Sequence, residues 1–233
     1  MPFTVAIAGI TSQLAQLIAN SLLSTHPTIL IKGSSRDPSK LSSAFKSSPR
    51  VTLIQAEPSD ADVLRTVVRD ADVVICCYFA DNATMIDGQK LLVDLCEEEG
   101  VPRYIASDFT LDYRGLEYGQ ISIKDPMKLV QAHLESKKVV KGVHILNGMF
   151  METFWTAFDV LDVETKTLRY WGEGSEKFDL TGIKAVADYA AAVAADETAV
   201  GFLKCMSLYM CRQLLIRDSS RRSQKHARDC DRD

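Results

Sequence analysis

No apolar run in this 233-residue chain approaches the roughly 20 residues that a membrane-crossing helix needs. The N-terminal MPFTVAIAGITSQ has neither a basic leader nor a cleavage-like site, so the expectation is a cytoplasmic protein with no membrane partner. Cys76, Cys77, Cys96, Cys205, Cys211 and Cys230 form no C-x-x-C pair and lack the regular spacing of a disulfide framework. They read as reduced packing residues, and no metal is expected. Positive charge is not in excess: a net charge of -4 and a pI near 5.6 remove any general electrostatic reason to bind nucleic acid. A small anionic cofactor would then need a local cluster of cations. The chain has no G-x-S-x-G, and its histidines are limited to His26, His133, His144 and His226, which gives Ser-His-Asp hydrolysis little support.

What is present is ordinary globular material, 46% hydrophobic and 25% charged, enough for a sizeable core in one large domain. Short runs rich in β-branched residues recur at Phe3 to Ala8, Thr28 to Ile31, Val51 to Ile54, Val73 to Cys77, Arg103 to Ala106 and Val143 to Leu146, and read as buried strands. Helical spacing fills the gaps, as with Leu14, Leu17, Ile18 and Leu22, or Leu91, Leu92 and Leu95. Ser59, followed by Asp62, is expected to cap one helix, Gly100 to end another and Asp125-Pro126 to start a third. Such alternation predicts an α/β fold: a doubly wound parallel sheet with helices on both faces. Residues 1–146 would form this dinucleotide-binding unit, 147–211 a small substrate-side region packed on it, and 212–233 a disordered tail. In that tail seven Lys/Arg alternate with four Asp, a solvated pattern without an apolar face.

Ligands of parallel sheets bind beyond the carboxyl ends of the strands. The first strand ends in AIAGITSQLAQLI, where Gly9 sits at the turn and the amides of Ser12, Gln13 and Leu14 could open a helix toward a pyrophosphate. Of the glycines in the dinucleotide fingerprint only this first is present; Ser12 and Ala15 stand at the other two places. The second strand runs into KGSSRDPSK, and Arg36 and Lys40 supply the cations that a 2'-phosphate would use, which favours NADP over NAD. The apolar, aromatic-rich NGMFMETFWTAFDVL suits the lining of a substrate pocket, with Asn147, Met149, Phe150 and Met151 as contacts.

GITSQLA, SRDPSK, VPRYIASDFTLD, DPMKLVQAHLE and HILNGMFMETF occur in an order that resembles the NmrA-like and isoflavone-reductase-like proteins, atypical short-chain dehydrogenases with a Rossmann fold. The likeness covers residues 1 to about 204. It implies that Gly9, Thr11, Gln13 and Leu14 belong to the pyrophosphate turn, Arg36 and Lys40 to the 2'-phosphate site and Glu57 to the adenine side. It places Cys77 and Tyr78 along the cofactor ribose, and Ser107 and Phe109 in the segment that passes the nicotinamide. Lys128 matches the lysine of the reductase branch, where an amine can orient the ribose or move a proton. The Tyr-x-x-x-Lys pair of ordinary short-chain dehydrogenases is missing, since no tyrosine has a lysine four residues later. The resemblance also implies that elements completing the substrate side are absent from this chain.

Two functions follow as expectations. One is an NADPH-dependent oxidoreductase for a small, largely apolar carbonyl, enone or benzylic substrate. The other is a non-catalytic dinucleotide sensor that binds a regulatory protein partner.

Overall fold

The computed structural model describes residues 3–157, 160–162, 164–165, 167–168, 178–205 and 208–210. In chain order the elements are β1 (Thr4–Ala8), α1 (Gln13–Thr25), β2 (Leu30–Ser35), α2 (Ser43–Ser47), β3 (Val51–Gln55), α3 (Ala61–Val68), β4 (Val73–Cys76), α4 (Gln89–Glu99), β5 (Arg103–Ile105) and α5 (Asp125–Glu135). There follow β6 (Lys141–Leu146), β7 (Met149–Phe150), α6 (Met151–Ala157), β8 (Leu161–Asp162), β9 (Thr167–Leu168), β10 (Phe178–Thr181), α7 (Ile183–Ala195), β11 (Gly201–Lys204) and β12 (Leu208–Met210).

Among the described residues seven strands form one parallel sheet in the order β11-β6-β5-β4-β1-β2-β3. β1 is buried along its whole length, and its alternation splits the core: Val5 and Ile7 pack with α1 and α7, whereas Ala6 and Ala8 face α3, α4 and α5. Each face is thus covered by helices, as the unbroken apolar strands require. The order reverses between β1 and β4, the arrangement of a Rossmann sheet, and that crevice is where such sheets take ligands.

Leaving β6, the chain turns at Gly148, whose φ is +70° and where a Cβ would stand 2.1 Å from the Asp179 carbonyl oxygen. Only glycine meets both demands. Beyond it β7 pairs with β10 and β10 with β12 in a small second sheet, and Phe154, Val160 and Leu180 form its apolar centre. The chain then returns to the main sheet: α7 packs on α1, and β11 adds the seventh strand beside β6. The expected tail, residues 212–233, lies outside the described residues.

Local chemistry corrects one cap. α3 starts from Asp60, whose carboxylate accepts the Val63 N–H at 3.1 Å, and not from Ser59. A carboxylate at that position also answers the positive end of the helix. Gly100 ends α4 with φ +76°, and Pro126 lies in the first turn of α5. At the opposite edge of the sheet the buried Arg103 donates to three carbonyls at the end of α7, those of Val193 (3.1 Å), Ala194 (2.7 Å) and Asp196 (2.7 Å). Among the described residues no helix is long and apolar enough to cross a membrane.

Candidate functional site

The turn after β1 is built around close backbone approach. Gly9 has φ +79°, and a Cβ on it would lie 2.9 Å from the Cys77 carbonyl oxygen and 3.2 Å from the Tyr78 ring. The N–H groups of Gly9 and Ile10 both donate to the Ser34 carbonyl, at 2.9 and 3.0 Å, which locks the turn onto β2. Ser12 turns inward: its N–H donates to the Gly9 carbonyl at 3.0 Å and its hydroxyl accepts the Ala15 N–H at 3.2 Å. Its side chain is therefore occupied as the cap of α1 and does not stand across the helix mouth. The Thr11 carbonyl accepts from the Gln16 amide at 2.9 Å. Gln13 and Leu14, in the first turn of α1, present N–H groups with no intrahelical acceptor, and no acidic residue shares that turn.

Arg36 and Lys40 are exposed beyond the end of β2. Just before them the Ser35 hydroxyl is buried with no hydrogen-bond partner, a state that costs about 1–3 kcal/mol when left unmet. Asp81, in the loop after β4, has its carboxyl held below the ordinary range by the Thr84 N–H and hydroxyl, with a smaller contribution from Arg36, so the loops after β2 and β4 share one edge. Glu57 is exposed just past β3.

Cys77 and Tyr78 continue β4 past the crevice. Cys77 is buried, its N–H donates to the Ala8 carbonyl at 2.9 Å, and burial pushes its thiol pKa well up. The Tyr78 ring lies between Gly9 and Gly88, and its carbonyl accepts the Ser107 hydroxyl at 2.7 Å. Ser107 thus ties the ends of β4 and β5 together. Phe109, two residues on, has φ +40°, an unusual conformation for a bulky residue and one that accumulates at functional segments.

Several groups that sequence reasoning did not single out hold this segment. Gln89, at the start of α4, accepts the Ser107 N–H at 2.9 Å and the Tyr104 hydroxyl at 3.3 Å, and donates to the Met85 carbonyl at 2.8 Å. Behind Phe109, the buried Asp108 carboxylate lies 2.6 Å from His144 Nδ1 and accepts the Tyr113 hydroxyl at 3.0 Å. His144 is stacked on Phe202 of β11 at 4.5 Å, and the Arg114 guanidinium covers the other ring of this stack at 4.7 Å from the Phe202 centroid. Asp108 and Thr110 stood in a recognisable segment, but only the fold reveals their partners.

Two lysines approach from α5 and the turn before it. The Lys128 amine donates to the Leu116 carbonyl and sits 5.1 Å above the Tyr118 ring. The Lys124 amine donates to the Thr110 hydroxyl at 2.6 Å. Burial pushes the Lys124 pKa below its ordinary value, against the opposing pull of Asp108. On the other wall, Asn147 is fully buried with both amide atoms unpartnered, while its carbonyl accepts the Thr181 hydroxyl at 2.8 Å. Met149 and Phe150 are half-buried in β7, and Met151 packs at the start of α6.

The sequence profile for NAD(P)H-binding proteins matches residues 9–144, from the Gly9 turn through β6. The chain belongs to this NAD(P)H-binding family. No curated protein matches it significantly in sequence. Among solved structures it is similar to Nmra, a negative transcriptional regulator, at 12% identity and a TM-score of 0.74 over 91% of this chain and 69% of that one. It is similar to AtPrR2 with NADP+ and (+)pinoresinol at 17% identity and a TM-score of 0.71, covering 92% and 74% of the two chains. The NADPH-dependent quinone oxidoreductase QOR2 from Escherichia coli, complexed with NADPH, gives 19% identity and a TM-score of 0.72 over 91% and 72%. At these identities the likeness is one of fold, that of the NmrA-like and isoflavone-reductase-like proteins. The residues present fit the dinucleotide that the NAD(P)H-binding family takes: open amides at α1, and an orphaned buried hydroxyl at the end of β2 followed in the chain by two exposed cations.

Among the described residues no group of three or more His, Cys, Asp or Glu side chains could hold a metal ion.

Proposed function

We propose that the protein is an NADPH-dependent oxidoreductase acting on a small, largely apolar carbonyl, enone or benzylic substrate. The observation that carries the cofactor half is the end of β2, where the unpartnered Ser35 hydroxyl is followed in the chain by the exposed Arg36 and Lys40. These groups would hold the 2'-phosphate, with Glu57 on the adenine side. Gly9 and the amides of Thr11, Gln13 and Leu14 would hold the pyrophosphate, with Ser12 keeping the turn in shape. Cys77 and Tyr78 would pass the ribose, and Ser107 and Phe109 the nicotinamide.

NADPH, when bound, supplies a hydride. The chain's own part is to orient the substrate, exclude water and hold charge. Asn147, Met149, Phe150 and Met151 would line the substrate side, and Lys128 would assist from α5. Two neighbours in fold are described with NADP+ or NADPH bound, which supports the phosphate-bearing cofactor. A second reading, a dinucleotide sensor that binds a protein partner, draws support from the likeness to Nmra and from the exposed Phe79, after β4, and Ile123, in the helical turn before α5.

Titration with NADPH, NADP+, NADH and NAD+ tests the cofactor assignment. Arg36→Ala is expected to weaken NADPH binding by about 1.5–3 kcal/mol, the scale of a charged hydrogen bond, and to leave NADH almost unchanged. Equal losses for both cofactors would remove Arg36 from the 2'-phosphate site. Deleting residues 212–233 is expected to leave NADPH affinity unchanged, because every proposed cofactor contact lies far earlier in the chain. A shortened protein that no longer binds NADPH would refute that.

A further inference from the structure

The Lys124 amine is half-buried, and among the described residues its one hydrogen-bond partner is the Thr110 hydroxyl, 2.6 Å away. An ammonium has three donors, so two remain open. A hydroxyl that accepts from the amine keeps its own hydrogen free to donate elsewhere. Both groups belong to the carboxyl end of β5, because Thr110 bridges to Leu146 of β6 and its carbonyl accepts the Gly148 N–H at 3.2 Å. Lys128 is placed differently, with its amine on the Leu116 carbonyl and against the Tyr118 ring.

We propose that Lys124 and Thr110 form a two-donor site for a substrate oxygen that gains negative charge as hydride is delivered, which selects a conjugated carbonyl compound, an enone or a quinone. The inference rests on the oxidoreductase reading and names the substrate group that reading leaves open. In the reduction, a hydride, which carries both electrons, passes from NADPH to the conjugated carbon, and the carbon–carbon π pair becomes the new double bond to the carbonyl carbon. The carbonyl π pair moves onto the oxygen held by the Lys124 and Thr110 donors, and that oxygen takes its proton from Lys128, which regains one from water. Donors already aimed at developing charge act strongly where water is excluded. Burial lowers the pKa of the amine and the nearby Asp108 carboxylate opposes that shift, while its own contacts are to Tyr113 and His144. A benzylic ether, whose departing phenolate oxygen would use the same donors, is the other source of such an oxygen.

The test uses 4-nitrophenol as a stable oxyanion probe, with the full chain in the presence of NADP+ and at a pH where the free phenol is mostly protonated. Wild-type protein is expected to draw out the phenolate absorbance, and Lys124→Met to weaken binding by about tenfold or more, as loss of a charged hydrogen bond implies. Lys124→Arg should fall between them, Thr110→Val should lose less than Lys124→Met, and Lys138→Met, an exposed change near the other end of the sheet, should match wild type. Wild-type protein that binds no phenolate, or Lys124→Met that binds it as wild type does, overturns the site. If Lys124→Met fails to fold, unchanged binding in Thr110→Val does the same. NADPH consumption with cyclohexenone, menadione and an aryl benzylic ether separates the two readings. Phenolate binding through Lys124 without any consumption keeps the oxygen site and sinks the oxidoreductase. Consumption that is equal in wild type and Lys124→Met does the reverse, and consumption with the ether alone overturns the carbonyl assignment.

Discussion

Replacing Arg103 with methionine is expected to destabilise the protein by about 3–5 kcal/mol, because three carbonyls at the end of α7 lose a charged donor and the buried ones are left unsatisfied. The guanidinium also answers the negative end of that helix. Methionine fills much of the same volume, so the loss reports polar satisfaction more than packing. Against a typical total of about 5–15 kcal/mol, such a change is severe. Urea unfolding measures it directly: the midpoint should fall without a change in slope. Lysine at the same place should recover only part of the loss, since one amine cannot reproduce the planar fork that spans three acceptors. A loss under about 1 kcal/mol, the usual scale of a surface substitution, would show that water replaces the guanidinium without difficulty.

The second large effect is kinetic. Lys128→Ala is expected to lower NADPH-dependent turnover by about 10²–10⁴-fold, the usual range for general acid-base assistance, while cofactor affinity falls far less. In the resting structure its amine is engaged by the Leu116 carbonyl, so the role requires release of that contact when substrate enters. Steady-state rates and separate NADPH titrations distinguish the two quantities. Unchanged turnover in the variant would leave Lys128 as an anchor for the loop between β5 and α5.

Much of the fold was legible because apolar β-branched runs recur with helical segments between them. All six expected strands are present, although β2 runs from Leu30 to Ser35 where Thr28 to Ile31 was expected. Gly33, Ser34 and Ser35 carry no strand signal of their own and are extended because they lie between β1 and β3. Gly33 is required for another reason: a Cβ there would come within 2.2 Å of Ile10. The seventh strand, Gly201–Lys204, is four residues long with only Phe202 and Leu203 apolar, too little for a periodicity argument. The carboxyl-edge positions could be read from strand ends, whereas the Gln89–Ser107, Asp108–His144 and Lys124–Thr110 contacts join residues 14 to 36 positions apart and have no local signature.

The stack of Arg114, Phe202 and His144 gives the chain an order of assembly. His144 steadies Asp108, which sits between Ser107 and Phe109, yet the ring that covers His144 arrives 58 positions later on β11. During synthesis the sheet from β1 to β6 can therefore form while the imidazole is still uncovered. Only when residues through Lys204 have emerged does β11 pair with β6 and close over it. A nascent chain halted before Gly201 would carry every proposed cofactor contact and still lack the last support of the segment that meets the substrate.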